Sequence, residues 1–485
     1  MKGLLFILLL SAATVQAQLP DTLLNNVVKD TIIAKFNRHD FAGIYTMADS
    51  GFKNSVTEQQ LEGLLNSAAR LGKIMGSELT GTDSSNSEYR LIFAKKSLQL
   101  NLNAVTAASY NIFGLSFYKL PVVRTRTNFL FDNPLKTGLD SVVQKAAAGY
   151  MVNKNVAGFS IGVLYKGKFF TYNFGETKKG TEQLPTKNTV YEIGSVTKTF
   201  TGILLAHAVL EGKVKLDDDI RKYIDGNYPN LQFNGEPIRL VHLSNHTSAL
   251  PSQPRLPGTD EDPFAPSVNF TNDMLHSILH TITLDTLPGT RRQYSNFAVG
   301  LLGIILEKVY GMTYEQLLQH YIFKPYKMSE TTITLPPGTK KMAQGYDVEG
   351  REAPYWRNRL AEPAGGIRST AHDMLLYMKE QMNSKDSAAW LAHQLTFGTV
   401  KEGTGLNWGI YTTKKGYLRW SHDGGTDGFT SLCLIYPGMQ AGIVLLTNNG
   451  DHDDNAFFTV GTAIYSYLTS LPPPPSGAGE RAAKK

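Results

Sequence analysis

Apolar and polar positions follow two different rhythms along the chain. Residues 21–37, 41–48 and 57–70 carry apolar residues at helical spacing, the last behind Thr57 as an N-cap. Shorter runs at 73–79, 88–93, 97–102 and 110–118 read as strands, with Asp83-Ser84-Ser85-Asn86-Ser87 as a turn between the first two. Helices followed by a small antiparallel sheet predict a separate α+β domain over residues 18–120. Residues 121–134 read as a linker. Beyond them the pattern restarts with a helix at 138–154 and a hairpin, 158–165 and 169–175, about Lys166-Gly167-Lys168. Long apolar stretches at 200–210 and 296–310 predict buried helices, and a proline-dense loop runs through 251–266. Strands return at 416–421, 429–436 and 441–447, and 455–468 reads as a closing helix. Strands at both ends of a domain with helices between them predict one antiparallel sheet covered by helices, with a helical subdomain beside it, over residues 135–470. Residues 471–485, with four consecutive prolines, read as an extended, disordered tail.

Composition changes this picture in three ways. The 485 residues carry a net charge of +6, partly at the ends, and no basic stripe interleaved with aromatics, which excludes nucleic acid as a partner. Met1-Lys2-Gly3, the apolar run from Leu4 to Leu10 and Val15-Gln16-Ala17 read as a signal peptide over 1–17, cleaved before Gln18. That run is too short to span a bilayer comfortably, and no other stretch is long and apolar enough, so the expectation is a periplasmic or secreted protein without a stable membrane span. The single cysteine, Cys433, lies in an apolar run, so packing rather than disulfides must hold the fold.

Three short motifs carry candidate chemistry. Ser195 and Lys198 stand three apart at the start of the 200–210 helix, which places hydroxyl and amine on one face. A serine needs a base to become a nucleophile, and a buried lysine with a depressed pKa can be that base. Gly194 lets backbone pass close beneath the serine. Taken alone, Ser-x-x-Lys also fits a capping serine beside a solvated lysine. Tyr294-Ser295-Asn296 offers a phenol and an amide from one turn. A lysine ammonium nearby is expected to lower the Tyr294 pKa, making it a proton relay, and Asn296 can donate to a substrate carbonyl. A buried aromatic with a capping asparagine fits the same residues. Trp420-Ser421-His422-Asp423-Gly424-Gly425-Thr426 ends a strand with glycines, so substrate backbone can lie against it, and the Gly425 N–H with the Ser195 N–H can form an oxyanion hole. A polar hairpin turn is the alternative. His242 and His246 have metal-ligand spacing but no accompanying glutamate base, and Asp451-His452-Asp453-Asp454 reads as a solvated loop rather than an ion site. No metal and no cofactor are expected.

Ser-x-x-Lys, Tyr-x-Asn and a strand-borne His-x-Gly, in that order, resemble the serine hydrolases related to class C β-lactamases and D-alanyl-D-alanine peptidases, a set that includes D-aminopeptidases and esterases. The resemblance covers about 135–468 and extends to Leu243-Ser244-Asn245-His246-Thr247-Ser248-Ala249-Leu250, where Ala249 replaces a usual glycine, to Pro363-Ala364-Gly365-Gly366-Ile367, and to Gly424-Gly425-Thr426-Asp427-Gly428-Phe429. It implies a β-lactamase/transpeptidase-like fold with an acyl-accepting Ser195, Lys198 and Tyr294 sharing proton transfer, and Asn296, His422, Asp423 and Gly424 on the substrate. His422 stands where many relatives have the lysine of Lys-Thr-Gly. Asp423 stands where they have threonine. A carboxylate there is expected to disfavour carboxylate-bearing substrates unless it points away, so esters, or amides and peptides with a free D-amino terminus, are favoured over β-lactams. The partner is then a small molecule or peptide, cell-wall peptides among them. A non-catalytic ligand-binding or sensor protein, and an acyltransferase, use the same residues and stay open. The first domain resembles small cone-shaped nuclear-transport-factor-like (NTF2-like) domains in pattern and carries no chemical constellation.

Overall fold

The computed structural model describes residues 22–82, 87–93, 97–105, 111–119, 126–258, 268–336, 339–383 and 385–471. The expected signal peptide, most of the 83–87 turn, the first five residues of the linker, the end of the proline-dense loop and nearly all of the tail lie outside the described residues. The chain divides into two compact units, Met1–Val123 and Arg124–Lys485.

In the first unit four helices, Thr22–Phe36, Phe41–Thr46, Ser50–Ser55 and Glu58–Ala69, precede four strands, Ile74–Thr82, Ser87–Phe93, Ser97–Val105 and Asn111–Lys119. The strands pair in sequence order, all antiparallel. Strand Ser87–Phe93 buries every second residue, as a one-sided sheet requires. Tyr89, Leu91 and Phe93 thereby meet Val28, Ile32 and Phe36 of the first helix in one core. Thr57 and Gln60 form the capping box of the fourth helix. The pattern did not predict Ser50–Ser55, a six-residue helix opened by Asp49, whose carboxylate accepts the Phe52 N–H at 2.7 Å.

The second unit is built on an eight-stranded sheet, in spatial order Phe397–Gly398, Glu402–Thr404, Gly409–Thr412, Leu418–Gly425, Thr430–Tyr436, Ala441–Thr447, Gly158–Tyr165 and Lys168–Gly175. Every neighbouring pair is antiparallel, so the late strand Ala441–Thr447 closes against the early hairpin. Its central strands are apolar throughout because both faces are covered. Leu432, Leu434, Ile443 and Leu445 face a core shared with helices Gly138–Met151 and Asn455–Leu468. Their alternates Cys433, Ile435, Val444 and Leu446 face a larger core containing Thr197–Leu210, Asn296–Tyr310 and Ala371–Gln381. Part of the expected linker is fastened to this sheet: Gly175 N donates to Leu130 O at 2.7 Å and Asn173 Nδ2 to Asp132 Oδ2 at 2.6 Å. Among the described residues no single helix is long and apolar enough to cross a membrane.

Candidate active site

Ser195 sits in a 3₁₀ turn, Gly194–Val196, that runs into helix Thr197–Leu210. Ten consecutive residues from Thr197 to Ala206 are buried, which makes this the central helix of the unit. Ser195 itself stays partly exposed at its head. One turn on, Lys198 is 0% exposed, with Nζ 2.9 Å from Ser195 Oγ and donating to the Ala364 carbonyl at 2.5 Å. Burial disfavours the ammonium and brings the Lys198 pKa down to about 7, against the opposing pull of the Asp423 charge. Ser-x-x-Lys here is a buried contact, not a cap beside a solvated amine.

Tyr294 enters from the turn before helix Asn296–Tyr310. Ser295 caps that helix: its Oγ accepts the Ala298 N–H at 2.9 Å and donates to Pro251 O at 2.7 Å. The cap is therefore not Asn296, whose partly exposed amide has no hydrogen-bond partner among the described residues. Lys198 Nζ lies over the Tyr294 ring, 5.0 Å from its centroid. The expected lowering of the Tyr294 pKa is corrected by the structure: burial raises it, a hydrogen bond with Ser195 opposes the rise, and the Asp423 charge adds to it. The amine stands over the ring face in a dry site, and Lys198, not Tyr294, gives up its charge. Tyr294 thus keeps its proton at neutral pH. His246 backs the ring at 4.4 Å, and its Nδ1 accepts the Ser295 N–H at 3.3 Å.

Strand Leu418–Gly425 closes the site. A Cβ on Gly424 would stand 2.8 Å from Ser195 N, and one on Gly194, whose φ is +48°, would stand 2.5 Å from Gly425 N. Backbone therefore passes backbone here with no room for side chains, which sets the Ser195 amide beside Gly424 and the Gly425 amide beside Gly194. His422 pairs across the ladder with Cys433 and so faces the central helix, its ring 6.4 Å from that of Tyr294. Its Nδ1 donates to the Asp423 carbonyl at 2.6 Å, which leaves Nε2 as an acceptor. Burial and the Lys198 charge lower its pKa, so the position of a usual cation holds a neutral ring at pH 7. Asp423 is exposed and pairs with Leu432, whose side chain belongs to the opposite face. Its carboxylate is turned from the pocket wall, although its charge still reaches Lys198, Tyr294 and His422.

The other weighed residues do not gather. His242 Nδ1 accepts the Arg239 N–H at 3.2 Å while His246 serves Ser295, so each histidine supports its own turn. Among the described residues no three metal-ligating side chains cluster. The loop at 451–454 is solvated at His452 and Asp453, as expected, but its ends are not: Asp451 and Asp454 are buried, and Asp454 caps the closing helix by accepting the Ala456 N–H at 2.9 Å. Sequence reasoning gave no role to the Ala364 carbonyl or to the buried pair Glu192–Arg368, 3.0 Å apart. Pro363-Ala364-Gly365-Gly366-Ile367 stood out as a stretch, but a backbone acceptor leaves no mark in residue identity.

A profile described as Beta-lactamase matches residues 143–458, all within the second unit. A β-lactamase of Escherichia coli (strain K12) is 29% identical over 352 residues, covering 64% of this chain and 89% of that protein. A β-lactamase of Pseudomonas fluorescens is 30% identical over 284 residues, 57% of this chain and 75% of its own length. Among solved structures, a class C β-lactamase superposes with a TM-score of 0.59 at 25% identity, covering 68% of this chain and 96% of that one. A β-lactamase/D-alanine carboxypeptidase from Pseudomonas syringae shares the fold at a TM-score of 0.60 and 24% identity, over 69% and 100% of the two chains.

Proposed function

The chain belongs to the β-lactamase family of serine hydrolases, and from that premise we propose that it forms an acyl-enzyme on Ser195 and hydrolyses esters, or amides and peptides with a free D-amino terminus, in preference to β-lactams. The observation that carries this is the Ser195–Lys198 contact of 2.9 Å, made by a fully buried amine with a pKa of about 7. At neutral pH about half of such lysines are uncharged by their pKa alone. The free amine takes the Ser195 proton as Oγ bonds to the substrate carbonyl carbon. The carbonyl oxygen becomes an oxyanion held by the Ser195 and Gly425 N–H groups. As the scissile bond breaks, the proton returns to the leaving alcohol or amine, through Tyr294, whose retained hydroxyl proton suits it to donate. Water then attacks the acyl carbon as its proton passes to the Lys198 amine, with Tyr294 as relay; the acyl–Oγ bond breaks, that proton returns to Ser195 Oγ, and the acid product leaves. Asn296 orients the substrate carbonyl, and His422 Nε2 accepts from a substrate N–H or O–H.

Preference among substrates follows from charge. A neutral His422 offers no cation, and Asp423, turned from the pocket wall, acts only through a longer-range negative potential that weakly disfavours a carboxylate and favours an ammonium. One observation favours the second reading, a carboxypeptidase or β-lactamase. The Arg292 guanidinium stands near enough to act on both Tyr294 and His422, and a solved neighbour is described with those two activities. With its expected signal peptide, the enzyme works in the periplasm or outside the cell. The test is kcat/KM for a p-nitrophenyl ester, a D-amino-acid anilide, a D-alanyl-D-alanine peptide and a chromogenic cephalosporin, on the parent and on Asp423→Thr and Arg292→Ala. The ester and anilide are expected to lead, with Asp423→Thr raising the carboxylate-bearing pair. Leading rates on the carboxylate-bearing pair, lost in Arg292→Ala, establish the second reading instead.

A further inference from the structure

Glu192 lies three residues before the nucleophile and is 2% exposed. Strand Val190–Glu192 pairs antiparallel with Arg368–Thr370, with Glu192 directly opposite Arg368. Glu192 Oε1 accepts the Trp356 N–H at 2.8 Å and Arg368 Nη2 at 3.0 Å. Arg368 in turn donates to the carbonyls of Ile333 and Trp356. The same two segments are laced further toward the site. Ile193 N donates to Ile367 O at 3.0 Å, and Ile367 N to Thr197 Oγ1 at 3.1 Å. The Ala364 carbonyl that accepts Lys198 opens this second segment. On the other side, Ser431 Oγ donates to the Ile193 carbonyl at 2.7 Å, drawing in the neighbour of strand Leu418–Gly425. Burial raises the Glu192 pKa; the Arg368 charge and then Thr426, directly after Gly425, oppose the rise, and both Glu192 Oε2 and Thr426 Oγ1 are buried without a closed hydrogen bond.

Three parts of the site therefore meet at one carboxylate: the nucleophile turn, the segment that receives the Lys198 amine, and the residue after Gly425. We propose that Glu192 is a positioning residue for the oxyanion hole, holding the Ser195 turn in register with Gly425 through Arg368 on one side and Thr426 on the other. Glu192 Oε2 and Thr426 Oγ1, both buried and without a hydrogen-bond partner, are the adjustable part. They pair as the tetrahedral intermediate draws the Ser195 and Gly425 amides together, so Glu192 acts on the transition state rather than on substrate binding. Catalytic hydrogen bonds often tighten only in that complex, and an interaction made only there alters kcat and not KM.

This rests on the acyl-enzyme reading, and the test separates the two. Active sites are titrated with a fluorophosphonate in the parent, Glu192→Gln and Thr426→Val. For each, kcat per titrated site and KM are measured on a p-nitrophenyl ester, with Kd for a phenylboronic acid as a tetrahedral mimic. Glu192→Gln is expected to lose about a hundredfold in kcat per site, the scale of a small misplacement of reacting groups. KM should stay within about threefold, and boronate affinity should fall in step with kcat. Thr426→Val, which removes only a hydroxyl, should lose about tenfold in the same pattern, and it keeps the inference testable if Glu192→Gln does not fold. An unchanged kcat per site in a folded variant, or KM rising in step with the loss of boronate affinity, overturns the positioning role while leaving the acyl-enzyme intact. A parent that takes no label overturns both.

Discussion

In the proposed mechanism Lys198 has to give up its charge, and this makes the pH dependence of the enzyme calculable. In the unfolded chain the amine titrates at its ordinary value of 10.5, and in the folded protein at about 7. The difference corresponds to about 5 kcal/mol, at 1.36 kcal/mol per unit. The active form is the free amine, so the rate of Ser195 acylation rises with pH through 7. Between pH 6 and pH 8 the neutral fraction, and with it the labelling rate, grows about tenfold. Stability moves in the same direction. The unfolded chain holds a proton that the folded one has lost between pH 7 and 10.5, so the fold gains stability as pH rises across that window and the Lys198 contribution is flat below it. Replacing Lys198 by Met removes this contribution at every pH. The assay is urea unfolding of the parent and Lys198→Met at pH 6 and pH 9. From pH 6 to 9 the parent should gain about 3 kcal/mol more than the variant. Parallel stabilities of the two proteins across that range, or a labelling rate that starts to rise only near pH 10, would refute a neutral Lys198.

Other consequences are sharp enough to measure. Lys198→Ala and Tyr294→Phe should each lower kcat steeply, and the double variant should lose little more than the worse single one, because residues acting as a unit are non-additive; ester kinetics on all four proteins check this. Gly424→Ala places a methyl hard against the Ile193 carbonyl and 2.8 Å from the Ser195 amide, so the nucleophile turn must move: kcat should fall by about a hundredfold, and thermal unfolding should shift to lower temperature. A chain beginning at Asn128 keeps Leu130 and Asp132 on the edge of the sheet, and circular dichroism with ester hydrolysis should show it folded and active.

The parts of this protein that the sequence made legible are local. Ser195 and Lys198 meet because one helical turn brings them round, and the short apolar runs 429–436 and 441–447 mark strands whatever they pair with. The closure of Ala441–Thr447 against Gly158–Tyr165 joins residues almost three hundred apart, which no local pattern encodes. Burial is equally non-local. It reversed the expected shift at Tyr294, took Asp451 and Asp454 out of solvent, and placed Glu192 at a junction that its neighbours in sequence do not announce. Asp423 was readable as an unusual residue in its motif. Only the ladder partner Leu432 says which way it is turned.

The measurement that bears most directly on the account is intact mass after exposure to a fluorophosphonate, on the parent and on Ser195→Ala. The parent should gain one phosphonyl group, mapped by peptide sequencing to Ser195, and Ser195→Ala should gain none while losing at least about a thousandfold in ester hydrolysis. An alanine variant that takes the label and hydrolyses ester like its parent would contradict the assignment of Ser195 as the nucleophile, and with it the roles given to Lys198, Tyr294 and Gly425.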